Sequence, residues 1–157
     1  MRSVYQLVVR SNVFSWAEHP EGFVVGSGTT LSWSESDVLE PDVASRDCNT
    51  PLLSARLVER HRQALEASGT LMPLTIGASA YFHFMPGFAD ERCWDEKHSG
   101  TLRTYAFHRK RIPDAPAFRL PQFPSEIFWT DTFVNSLMRE RFAGFEAIIV
   151  WAPHLGY

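Results

Sequence analysis

Apolar positions along the chain follow two periods. "VYQLVVRS" has the β-branched and aromatic content of a strand, "FVVGSGTTLSW" reads as strand, glycine-centred turn and strand, and "ASAYFHFMP" is a further apolar run stopped by Pro86. Between them the period changes. In "TPLLSARLVERHRQALEASG", Leu53, Leu57, Val58 and Leu65 share one side at helical spacing, with His61 at its margin, while Arg56, Glu59, Arg60, Arg62, Gln63 and Glu66 fall mainly on the other. Ser54 caps the start of this helix and Gly69 ends it.

A second stretch is punctuated in the same way. "SEIFWTDTFVNSLMRERFAGFEAIIVW" reads as strand, capped helix and strand: Thr130 is the expected N-cap, Asp131 lies at the positive end of the helix, and Gly144 is the expected stop. Aligning Ser54 with Thr130 places Leu57 on Phe133 and Val58 on Val134, a match that ordinary cap-and-stop grammar explains without duplication. The continuous apolar run "FEAIIVW" predicts a central strand buried on both faces. "TLRTYAFHR" and "AFRL" predict further strands, and "IPDAPAF" and "LPQFP" are proline-governed connections. The whole is an α+β fold, one domain over residues 1–157, with a largely antiparallel or mixed sheet and two principal helices at about 54–68 and 131–143.

Composition narrows the class. At 45% hydrophobic, the 157 residues can bury one sizeable core. No apolar run approaches the ~20 residues of a membrane span, and the opening "MRSVYQLVVRSNVFSW" is broken by Arg10 and lacks a small-residue cleavage site, so a membrane or export role is not expected. Cys48 and Cys93 make no disulfide framework, which fits a reducing cytoplasm. A net charge of -3 offers no general attraction for nucleic acid.

Candidate chemistry is sparse. His83, Cys93 and His98 supply zinc-ligand or nucleophile types, and a small cysteine/histidine hydrolase or zinc-binding enzyme is the alternative function they open. Their spacing matches no closed zinc pattern, and no cofactor fingerprint is present: "VVGSGTT" lacks the phosphate-loop and dinucleotide spacings. Charge is more informative. "WSESDVLEPDVASRD" gathers Glu35, Asp37, Glu40, Asp42 and Asp47 against Arg46, whereas "FHRKRIP" concentrates Arg109, Lys110 and Arg111. The basic cluster reads most simply as charge guarding an exposed strand edge. The acidic segment is the expected docking surface for a basic partner, through Glu35, Asp37, Glu40 and Asp42, with Trp33 or Trp94 as aromatic anchor.

"PLLSARLVERHRQALEASG", followed by "FRLPQFPSEIFWTDTFVNSLMRERFAGFEAIIVW", resembles the immunity proteins that bacteria encode beside polymorphic or secreted antibacterial toxins. The closing pattern is held by Phe128, Thr130, Asp131, Phe133, Val134, Gly144, Phe145, Val150 and Trp151, and the match covers about a third of the chain. These are caps, core aromatics and a helix stop, so they speak to fold more than to partner choice. The paired CxxCG motifs of one related-looking group are missing, and with them the case for a structural zinc. The resemblance implies a cytoplasmic α+β domain that binds and occludes a cognate toxin and performs no reaction of its own.

Overall fold

The computed structural model describes residues 2–9, 12–15, 31–33, 40–46, 50–97 and 105–153. It has α+β architecture with two principal helices, and the chain divides into two compact units. One unit takes the residues up to Val8, Pro86–Arg141 and those from Glu146 onward; the other takes Val9–Met85 and Phe142–Phe145. Among the described residues no helix is long and apolar enough to cross a membrane.

The first unit is built on a four-stranded sheet. Its strands are β1 (Val4–Val9), β8 (Ala117–Leu120), β9 (Phe123–Thr130) and β10 (Phe145–Trp151), ordered β10-β1-β9-β8, with α2 (Asp131–Arg139) following β9. Val4, Cys93, Phe107, Ile112, Phe118, Leu120 and Phe128 form its core, against which Trp94, Tyr105, Phe123 and Trp151 pack. The rings meet mostly edge to face, for example Phe107 on Phe128 at 5.2 Å and Tyr105 on Phe128 at 5.0 Å, the geometry that ring quadrupoles favour.

The second unit closes six strands on themselves. These are β2 (Asn12–Ser15), β3 (Leu31–Trp33), β4 (Val43–Arg46), β5 (Thr50–Ser54), β6 (Gly69–Ile76) and β7 (Ser79–Pro86), in the order β2-β3-β6-β7-β5-β4, with α1 (Ala55–Ser68) after β5. Parallel pairing of β2 with β4 and of β3 with β6 makes the arrangement mixed. α1 begins as its sequence predicts: Ser54 Oγ accepts the Leu57 N–H at 3.2 Å, and Leu57, Val58 and Leu65 are buried. β6 and β7 turn on Gly77 and Ala78, with Gly77 at φ +59° supplying the left-handed residue that a two-residue hairpin requires.

Six sequence expectations change. Thr130 precedes α2 without capping it through its side chain; its hydroxyl donates instead to the Ala115 carbonyl at 2.7 Å, and Asp131 Oδ1 takes the Thr132 N–H at 2.9 Å. α2 ends at Arg139 rather than near 143, because Arg141 turns left-handed at φ +59° and its N–H closes onto the Met138 carbonyl. β10 is the edge strand of its sheet and exposes Ile148 and Ile149, so an apolar run alone did not report burial on both faces. "AFHR" forms no strand: Phe107 makes an isolated bridge with Trp94, and Arg109–Arg111 is a 3₁₀ turn. The acidic stretch contains β4, and β9 begins within "LPQFP", two strands that proline and charge had masked.

The likeness between the Ser54 and Thr130 segments extends beyond their helices. Each helix follows a hairpin, β4–β5 or β8–β9, and the strand order β4-β5-β7-β6 in one unit has the counterpart β8-β9-β1-β10 in the other. Register agrees as well. Leu53 faces Val43 and Phe82 where Trp129 faces Ala117 and Tyr5, and the Ser54 N–H meets the Asp42 carbonyl (2.8 Å) as the Thr130 N–H meets that of Pro116 (3.0 Å). Cap-and-stop grammar requires none of these sheet pairings.

Candidate functional site

The end of the acidic segment is built around one carboxylate. Glu40 takes a left-handed backbone (φ +50°), and the chain then turns inward through Pro41 and Asp42 into β4. Asp42 is only 5% exposed. Its carboxylate accepts the Ser54 hydroxyl at 2.7 Å, the Arg56 guanidinium at 2.6 and 3.2 Å, and the Ala143 N–H at 2.9 Å. The backbone repeats the connection: Asp42 and Val43 N–H groups donate to the Ala143 carbonyl at 2.9 and 3.2 Å, and the Asp42 carbonyl accepts the Ser54 N–H.

These bonds explain the state of the acid. Burial would raise the Asp42 pKa, but hydrogen bonds from Arg56, Ser54 and Ala143, together with the Arg56 charge, hold it below the ordinary value. Arg56 is positioned in turn with its guanidinium 4.6 Å from the centre of the Phe142 ring. The backbone beside it is equally constrained. Gly144 has φ +102°, and a Cβ there would stand 2.5 Å from Pro41 Cβ and 2.6 Å from the Val43 carbonyl oxygen, so only glycine lets the 142–144 segment approach. Tyr81 completes the node by donating to the Pro41 carbonyl at 2.7 Å; burial, then the nearby Glu40 and Asp42 charges, push its phenol up to about 12.

The other sequence candidates are placed as follows. Glu40 is exposed and accepts the Ser79 hydroxyl at 2.5 Å. Asp42 is turned inward, so it is an anchor of the segment and not an exposed contact. Glu35 and Asp37 lie outside the described residues, and Trp33 ends β3, opposite Val13. Trp94 is half-buried among Phe123 (4.9 Å), Tyr105 and Phe107. Packing among these rings leaves it only partly available as an anchor.

Of the residues behind the enzymatic alternative, His83 is buried on β7 opposite Leu52, and His98 lies outside the described residues. Cys93 is fully buried, and burial followed by the Asp90 charge pushes its thiol up to about 11, which keeps it protonated and weakly nucleophilic near neutral pH. Among the described residues no group of three His, Cys, Asp or Glu side chains is arranged to hold a metal ion. Sequence reasoning found Ser54 and Asp42 but missed their bond and the part of Arg56, Ala143 and Gly144. Only the Gly144 stop signal hinted at that last position, and for a different reason.

No protein-family model matches the chain, and no curated protein matches it in sequence.

Proposed function

We propose that this chain is a cytoplasmic immunity protein that binds and occludes a cognate antibacterial toxin, protecting the cell that makes it and catalysing nothing itself. The observation that carries the reading is the anchored end of the acidic segment at Glu40–Asp42. Asp42 ties the residue after Glu40–Pro41 to the start of α1 and to the 142–144 segment, so Glu40 is displayed from a fixed base. A binding surface held in place before contact loses less conformational entropy on association than a free loop would. Glu35, Asp37 and Glu40 then supply the negative charge that steers a basic toxin surface, with Trp33 as the apolar anchor. The buried, protonated Cys93 thiol favours this binding role over thiol catalysis.

The test is capture of tagged protein from its native host, with identification of what co-purifies and whether its expression alone kills the cell. The expected result is a single stoichiometric partner that is toxic by itself. Binding should weaken by at least about tenfold in a Glu35→Lys/Asp37→Lys/Glu40→Lys variant, because like charges would then face the partner. A toxic partner held equally well by that variant removes the acidic surface from the interface; a host in which neighbouring genes are expressed and nothing toxic is captured removes the function.

A further inference from the structure

The basic cluster forms a structure of its own in the first unit. Arg109–Arg111 is a single 3₁₀ turn backed by buried Ile112, and the short turn Glu91–Cys93 is joined to it where the His108 N–H donates to the Cys93 carbonyl at 2.8 Å. Arg92, His108, Arg109, Lys110 and Arg111 line an open concavity of about 560 Å³ between these turns. Every described side chain of the lining is a permanent cation or an imidazole.

Internal compensation is incomplete. Arg92 is forked onto Asp90 at 3.0 and 2.7 Å, and His108 Nδ1 stands 3.7 Å from Asp95. Arg109, Lys110 and Arg111 form no ion pair with a described carboxylate. Arg111 acts on Asp90 from beyond ion-pair distance, and the three neighbouring cations repel one another in a chain whose net charge is -3.

From this arrangement we propose that the concavity binds a compact polyphosphate, either a free condensed phosphate or the phosphate end of a nucleotide. Guanidinium forks match phosphate oxygens two at a time, and a lysine adds a mobile point charge. The volume falls within the roughly 300–1,000 Å³ of small-ligand sites. A long nucleic acid fits less well, because the acidic remainder of the chain would repel a polyanion extending past the patch. This proposal is independent of the toxin-binding role.

Titration calorimetry on the full chain tests it, with tripolyphosphate, ATP, adenosine and a short oligothymidylate as probes. Tripolyphosphate and ATP should bind, adenosine should not, and binding should weaken at least about tenfold in Lys110→Glu/Arg111→Glu but not in the charge-matched Arg60→Glu/Arg139→Glu control. The neutral Lys110→Gln/Arg111→Gln variant gives the same comparison if charge reversal perturbs folding. ATP binding more tightly than tripolyphosphate assigns the site to a nucleotide, and equal binding assigns it to condensed phosphate. Equal losses in the patch and control variants, no binding of tripolyphosphate, or tighter binding of the oligothymidylate would each overturn the proposal.

Discussion

Replacing Asp42 by alanine removes the acceptor shared by the Ser54 hydroxyl, the Ala143 N–H and the Arg56 guanidinium. The cost falls unevenly. Arg56 is 63% exposed and regains water, so its loss contributes little, whereas the Ser54 hydroxyl and the Ala143 amide lose a charged acceptor in a partly buried site. Two such groups place the loss at about 2–4 kcal/mol, a large part of a domain stability of about 5–15 kcal/mol. Asp42→Asn keeps one carbonyl acceptor and should lose about half as much. Urea unfolding followed by circular dichroism and tryptophan fluorescence measures both, with an unchanged slope marking a change in stability alone.

Acid gives an independent check on the same node. The Asp42 pKa is lower in the folded chain than the usual 3.8, so between the two values the unfolded state binds more protons. Its stabilisation is therefore complete above the unfolded value and is lost as pH falls through the folded one. The gap between wild type and Asp42→Asn should be constant near neutrality and shrink on acidification below about pH 4. A loss in Asp42→Ala under about 1 kcal/mol, or a gap that persists in acid, would refute the assignment of Asp42 as a buried charged anchor.

Two further substitutions probe the elements beside the site. Gly144→Ala forces a left-handed backbone on a residue with a Cβ and drives that atom into Pro41 and the Val43 carbonyl, so an unfolding free energy lower by about 2–4 kcal/mol is expected in the same urea assay; a loss under about 0.5 kcal/mol would show that the segment is not held this closely. Thr130→Val removes the hydroxyl that bonds the Ala115 carbonyl and should cost about 1–2 kcal/mol while leaving the far-ultraviolet helix signal intact; fraying of α2 instead would restore the cap role that the geometry denies it.

Local signals were read well where the physics is local. The Ser54 cap and the buried face of Leu57, Val58 and Leu65 follow from helical period and side-chain chemistry, and both helices were found. The errors arose where distant segments decide. An apolar run such as "FEAIIVW" reports affinity for apolar surroundings but not how many neighbours a strand has, and β10 has one. Gly144 was recognised as punctuation, yet its φ serves the approach to Pro41 rather than the end of α2, which Arg141 closes. Asp42 looked like a surface acid because its sequence neighbours are acidic; its partners Ser54, Arg56 and Ala143 are brought in by the β4–β5 hairpin and the later 142–144 segment. The basic turn was legible as charge, but the concavity it forms with Arg92 was not.

The two hairpin-and-helix segments indicate what Asp42 adds. In both, the residue before the helix donates its N–H to the carbonyl of the residue preceding the paired strand, Asp42 in one unit and Pro116 in the other. Pro116 has no side-chain acceptor, and there the Thr130 hydroxyl turns to the Ala115 carbonyl; α2 still forms. A carboxylate is therefore dispensable for starting a helix after this hairpin. What Asp42 reaches and Pro116 does not are the Arg56 guanidinium and the Ala143 N–H, and through them the 142–144 segment. The extra bonds fix the place where the acidic segment meets β4, at the energetic cost of burying a charge that proline at the equivalent position avoids. The bonds hold Asp42 on the start of α1 and on the 142–144 segment, which is the preorganisation that the docking role proposed above calls for.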